Sequence, residues 1–231
     1  MIIEREIDAA GLYEQTRLAL LELVRSLSPE QQSTPVPATP AWSVLDVVAH
    51  VVGITADLRA GSFGPGDQDA WTAAQVASRR GRSIDALAAE WDDEAPGFEA
   101  GLRAFGYEMG SHFLGDLLQH VSDVRHALGQ PRIPDDVTLL VALDFYLDSF
   151  DGGLHDAEVG SVAVRTGDDE WVLGSGPVVA TWKVDRFECF RSLGGRRDEA
   201  QIRAQPWTGD VDAIVPRVSR YGMPERGIVE P

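Results

Sequence analysis

The 231-residue sequence contains a single cysteine, Cys189, which excludes an intramolecular disulfide and any cysteine-based zinc cluster and fits a reducing compartment. Uninterrupted apolar runs are missing as well: none approaches the roughly 18 to 20 residues a membrane span requires. The N-terminus, Met1-Ile2-Ile3-Glu4-Arg5-Glu6, carries acid where a signal peptide would carry a basic region, so the expected location is the cytoplasm. Basic residues are scarce, 20 against 37 acidic ones, and the formal charge of −17 repels nucleic acid phosphates and anionic membrane surfaces. No internal repeat or low-complexity tract is present. What remains, 44% hydrophobic and 25% charged residues, is an ordinary globular composition, long enough for one large domain or two modest ones.

The first part of the chain reads as helices. Leu12, Thr16, Leu20, Leu23, Val24 and Leu27 recur at three- and four-residue spacing over Asp8 to Leu27, and Ser28-Pro29 ends that pattern. Three prolines make Pro35 to Pro40 an extended connector. A second helix starts at Ser43, with Asp46 in its first turn and Trp42 packing at its start. After a Gly/Pro-rich break at Gly61 to Gly66, helices are expected at about Gln68 to Arg79 and Ser83 to Leu102, the latter interrupted by Pro96. A further helix is expected from Ser111, as its cap, to Leu128, closed by Gly129, and another from Asp135 to Phe150, stopped by Gly152-Gly153.

Beyond Gly153 the period changes. Ser161 to Thr166 and Glu170 to Leu173 alternate like half-buried strands across the turn Gly167-Asp168-Asp169. Val178 to Trp182, a short helix at about Val184 to Leu193, a strand at Ala200 to Ala204 and a last helix after Gly209-Asp210 complete an α+β region. The expected organisation is therefore a helical domain, residues 1–153, followed by a small α+β domain, residues 154–231. Trp171, Trp182 and Trp207 are expected to fill the second domain's core, and Cys189, beside Phe187 and Phe190, to be a buried hydrophobe rather than a nucleophile.

Three of the five histidines, His112, His120 and His126, crowd onto the Ser111 to Leu128 segment. Asp116 and His120 are four residues apart, so on a helix they lie one turn apart on one face and can share a cation. His112 extends that stripe, while Asp123 and His126 sit round the helix, and spacing alone does not choose between the two ligand sets. A third ligand must come from another helix, where His50 is the candidate. Two imidazoles and a carboxylate suit a divalent first-row metal, with zinc the default and a coordination position left open. Against this stands the plain alternative that each histidine is a satisfied core or surface residue.

Thr39-Pro40-Ala41-Trp42-Ser43-Val44-Leu45-Asp46-Val47-Val48-Ala49-His50 resembles the opening of the DinB-like domain of the mycothiol-dependent maleylpyruvate isomerase family. Asp116-Leu117-Leu118-Gln119-His120-Val121-Ser122-Asp123-Val124-Arg125-His126-Ala127-Leu128-Gly129 is similar to that family's second metal-binding helix. Gly195-Arg196-Arg197 and Trp207-Thr208-Gly209-Asp210 are similar to landmarks of its sterol-carrier-like C-terminal domain. The resemblance implies an all-α DinB-like four-helix bundle followed by a small α+β domain. It implies metal ligation by His50, Asp116 and His120, with Asp116 standing where the family has glutamate, one methylene longer. It also implies mycothiol, the low-molecular-weight thiol of actinobacteria, as thiol cofactor: a metal-bound thiol deprotonates, adds to an activated double bond and leaves after rotation, or displaces a leaving group instead.

Asp123 is a candidate to orient the His120 imidazole, and Arg196 and Arg197 are candidates to bind a carboxylate of substrate or thiol. A solvent-facing acid and surface or turn arginines are the blander accounts. The expected function is a metal- and mycothiol-dependent isomerase or S-transferase acting on a small electrophile. A thiol-independent metal hydrolase and a non-catalytic binder of the same fold are the alternatives.

Overall fold

In the computed structural model residues 3–62, 64 and 66–230 are described; Met1, Ile2, Phe63, Pro65 and Pro231 lie outside the described residues, and so do those parts of the readings at the N-terminus and at Gly61 to Gly66. The chain forms two compact units, one of Ile7–Arg132 and one of Ile133–Glu230 with the N-terminal residues up to Glu6. Among the described residues no helix is long and apolar enough to cross a membrane.

In the first unit, helix α1 (Ala9–Arg25) is capped by Asp8, and a single turn, α2 (Pro29–Gln32), follows. Ser28-Pro29 thus starts a helix as well as ending one: Ser28 and Gln31 form a reciprocal capping box, and proline fits the first helical position. The proline-rich connector is a small antiparallel hairpin, β1 (Pro35–Val36) and β2 (Thr39–Ser43). Helix α3 (Val44–Arg59) starts where expected, because Ser43 accepts from the Asp46 backbone while the Asp46 carboxylate accepts from the Ser43 backbone at 2.9 Å. Helices α4 (Gln68–Arg79) and α5 (Ile84–Phe105) follow, and α5 runs through Pro96.

Helix α6 (Tyr107–Ala127) begins a turn earlier than its sequence punctuation suggested. Gly106, at φ 90°, closes α5 and opens α6, a left-handed joint that a residue with a Cβ adopts only under strain. Ser111 therefore lies inside the helix and donates its hydroxyl to the Glu108 carbonyl at 3.0 Å. Helices α1, α3, α5 and α6 pack on one another around a core that includes Leu20, Leu21, Val24, Val47, Val48, Leu87, Trp91, Leu117 and Val124. The indole of the fully buried Trp91 donates to Thr55 Oγ1 at 3.1 Å, which satisfies its one polar atom.

In the second unit, helix α7 (Val137–Ala157) runs straight through Gly152-Gly153, where a stop and a domain boundary were expected. Two glycines cost a helix about 1 kcal/mol each. Burial of Leu147, Phe150 and Leu154 on one face outweighs that cost, and the helix ends instead at Glu158, which is left-handed at φ 53°. The helix packs against the sheet it precedes, so it belongs with the C-terminal unit rather than with the helical one.

That sheet has the order β4-β3-β5-β6, with β3 (Ser161–Thr166) antiparallel to β4 (Asp169–Gly174) and parallel to β5 (Val178–Lys183). Burial alternates along β4 as expected, and along β5 too, whereas on the inner strand β3, where alternation was also expected, Ser161 to Val164 are all buried. Helices α8 (Arg186–Leu193) and α9 (Glu199–Arg203) follow β5, and α9 corrects the strand expected at Ala200 to Ala204. An Asp198/Gln201 capping box starts it. The strand is β6 (Trp207–Gly209), antiparallel to β5, and the helix expected after Gly209-Asp210 is only a 3-10 turn at Val215–Arg217, which holds Pro216. Trp171 and Trp182 are buried, and Trp182 stacks on Trp207 with centroids 4.7 Å apart.

Candidate metal centre

Helices α3 and α6 each contribute to the site because each exposes a polar side chain from an otherwise apolar, core-facing stripe. On α3, Val47, Val48, Val51 and Val52 surround His50, which is buried. On α6, Leu114, Leu117, Leu118 and Val124 surround Asp116 and His120. The three residues His50, Asp116 and His120 converge: one ligand atom from each can be chosen so that all lie within 4.8 Å of one another. They form the one such three-residue group found among the described residues, so of the two ligand sets left open by spacing the structure brings this one together.

His120 Nε2 lies 3.9 Å from Asp116 Oδ1, and the two imidazole rings meet edge to face with centroids 4.9 Å apart. Tetrahedral ligands at about 2.1 Å from zinc are about 3.4 Å apart, so the group needs a small contraction to hold a cation. Asp116 is the least buried of the three and the one with room to move. Trp42 covers His50 from the hairpin at a centroid distance of 5.0 Å.

Each histidine has a polar neighbour at Nδ1. For His50 it is the side-chain oxygen of Gln75, on α4, at 2.8 Å. For His120 it is Asp123 Oδ2 at 3.6 Å, which is longer than a hydrogen bond and leaves that buried nitrogen without a hydrogen-bond partner. Asp123 is thus buried and beside His120, not round the helix from it. Carboxylate or amide oxygens at Nδ1 leave the Nε2 atoms for a metal, the arrangement common to metal-binding imidazoles. The donor set, two imidazoles and a carboxylate with ligand atoms within 4.8 Å of one another, fits a divalent cation.

Below the site, the Tyr13 hydroxyl lies 3.3 Å from Thr55 Oγ1, and its pKa is pushed up to about 12, first by burial and further by the Asp116 carboxylate. It is a proton donor there and not a base. Neither Tyr13 nor Gln75 was read from the sequence. Asp57, which holds Gln75, lay seven residues from His50, two turns along the same face; Gln75 is on another helix and carried no such signal.

The remaining candidates lie elsewhere. His112 stacks on Phe113, and His126 Nδ1 is buried without a hydrogen-bond partner. In the second unit, Arg197 is buried and holds Glu188 with two hydrogen bonds of 2.8 and 2.9 Å and Glu230 at 2.9 Å, while Arg196 donates to the Gly194 carbonyl. In this conformation both arginines serve local structure. Cys189 is buried, and burial pushes its thiol well above the usual range, so it is no nucleophile at neutral pH.

A helical unit that gathers two histidines and an aspartate from two core helices defines a class of protein, a helical domain with a candidate three-residue metal centre. Residues 13–112 match the family described as mycothiol maleylpyruvate isomerase N-terminal domain. The matched span contains His50 and stops four residues short of Asp116. Two solved structures, a mycothiol-dependent maleylpyruvate isomerase and a mutant of it, are similar to the chain at 11% identity and a TM-score of 0.48, covering 81% of this chain and 88% of theirs. No curated protein matches the chain.

Proposed function

We propose that the protein is a metal- and mycothiol-dependent isomerase or S-transferase acting on a small electrophile, with His50, Asp116 and His120 as ligands of a divalent metal, zinc by default. The observation that carries this reading is the convergence of those three side chains in a unit whose residues 13–112 match the mycothiol maleylpyruvate isomerase N-terminal domain family. A metal bound there supplies a position at which a thiol loses its proton readily.

The chain's own residues do the rest. Three protein ligands leave a coordination position open to the thiol. Asp116 sets one negative charge against the cation, and Asp123 accepts from His120 Nδ1 once their 3.6 Å separation closes. Trp42 shields the His50 side of the site from water, and Tyr13 offers a hydroxyl that stays protonated at neutral pH.

Turnover separates this reading from a metal hydrolase. Zinc-loaded protein is incubated with maleylpyruvate and with a panel of small electrophiles, with and without mycothiol. Isomerisation or S-conjugation only in the presence of thiol is the expected result. Hydrolysis at equal rates without thiol contradicts it.

A further inference from the structure

We propose that Gln75, itself held by Asp57, is a positioning residue that fixes the neutral His50 imidazole as its Nδ1–H tautomer, so that Nε2 is the ring's acceptor atom. The argument starts at the far end of the chain of hydrogen bonds. Asp57 Oδ2 receives the Trp71 indole N–H at 2.7 Å and the Gln75 Nε2 amide at 2.9 Å. A carboxylate only accepts, so the NH2 end of the Gln75 amide must face Asp57 and the oxygen end must face His50. That oxygen lies 2.8 Å from His50 Nδ1. A carbonyl oxygen has no proton to give, so Nδ1 carries the hydrogen.

A free histidine side chain favours the opposite tautomer, with the proton on Nε2. The protein therefore selects the less populated form before any metal arrives. The geometry is built in: Gln75 is 2% exposed, and a Cβ on Gly53, one turn after His50 on α3, would stand 2.6 Å from Gln75 Cβ. The glycine lets α4 approach close enough for the amide to reach the ring. The two histidines are thus held unequally, His50 through a neutral amide with the carboxylate one step removed, and His120 beside the Asp123 carboxylate itself.

The effect on metal binding rests on the proposed function; the tautomer does not, and the test keeps them apart. Long-range proton–nitrogen NMR spectra of metal-free, nitrogen-15-labelled protein are recorded above the imidazole titration, with His50→Ala assigning the ring. Zinc affinity is measured on the same samples by competition with a chromophoric chelator. The wild type is expected to show Nδ1–H at His50. Gln75→Leu is expected to shift it to Nε2–H and to weaken zinc binding about 10- to 100-fold.

The double variant Gln75→Glu with Asp57→Asn is expected to restore the Nδ1–H tautomer and zinc binding, because the introduced carboxylate accepts from His50 and the introduced amide donates to that carboxylate, with loss of the Trp71 hydrogen bond that used the same Asp57 oxygen. A merely structural role for Gln75 gives no such rescue. Nε2–H in the wild type, or an unchanged tautomer in Gln75→Leu, overturns the proposal. The expected tautomers in a protein that binds no zinc uphold it and sink the metal reading instead.

Discussion

Asp116 and Asp123 occupy the two sides of His120, one at each ring nitrogen, and their exchanges separate direct ligation from orientation. Asp123→Asn is expected to weaken zinc binding about 10- to 100-fold, the usual effect of removing the carboxylate that orients a liganding imidazole; equilibrium dialysis showing unchanged affinity contradicts that role. Asp116→Glu adds the methylene that this side chain lacks for spanning the group, and tighter binding than the wild type is the expected direction.

In the other unit, Asp148 has its pKa raised to about 6, mainly by burial and further by Asp144 and Asp151, against the opposing hydrogen bond from the Ile3 backbone N–H. Its folded value lies above its unfolded one, so the native state binds more protons between about pH 4 and 6. Stability from this group is full below that window and is lost as pH rises through it. Denaturant titrations across the window are expected to show a downward slope in the wild type that is shallower in Asp148→Asn. Equal slopes contradict the assignment.

At the scale of elements, the close approach of α3 and α4 depends on Gly53. Gly53→Ala is expected to cost about 1 to 3 kcal/mol by overpacking, read from denaturant midpoints, and to loosen zinc binding by displacing Gln75. A variant with unchanged stability and affinity means that the helices adjust freely.

Which of these features could be read in advance follows from how local each signal is. Ser43 and Asp46 are three residues apart and cap α3 through their own side chains, so that helix start was visible in the sequence. Asp116 and His120 were visible as a pair for the same reason, since one helix fixes their separation. The His50 contribution depends on how α3 packs on α6, a long-range fact: the apolar helix side around His50 made it a candidate, and the resemblance to a family added the pairing with Asp116 and His120. Gly152-Gly153 carried a correct local cost that the packing of α7 on its sheet overrode, and Ala200 to Ala204 was read as a strand while the Asp198/Gln201 cap decided for helix.

At the scale of the molecule, His50, Asp116 and His120 all lie within Ile7–Arg132, while β3 to β6 belong to the other unit. Zinc is therefore expected to slow amide exchange in peptides from α3 and α6 and to leave the strands unchanged, as measured by hydrogen-exchange mass spectrometry. Protection confined to the strands contradicts the location of the site.

The most direct measurement is elemental analysis of untagged protein purified without chelator, alongside His50→Ala and His120→Ala. Near-stoichiometric metal in the wild type, lost in both variants while their folds persist, is the expected result. A wild type that holds no metal even after reconstitution with zinc contradicts the catalytic reading and leaves a family fold used for binding alone.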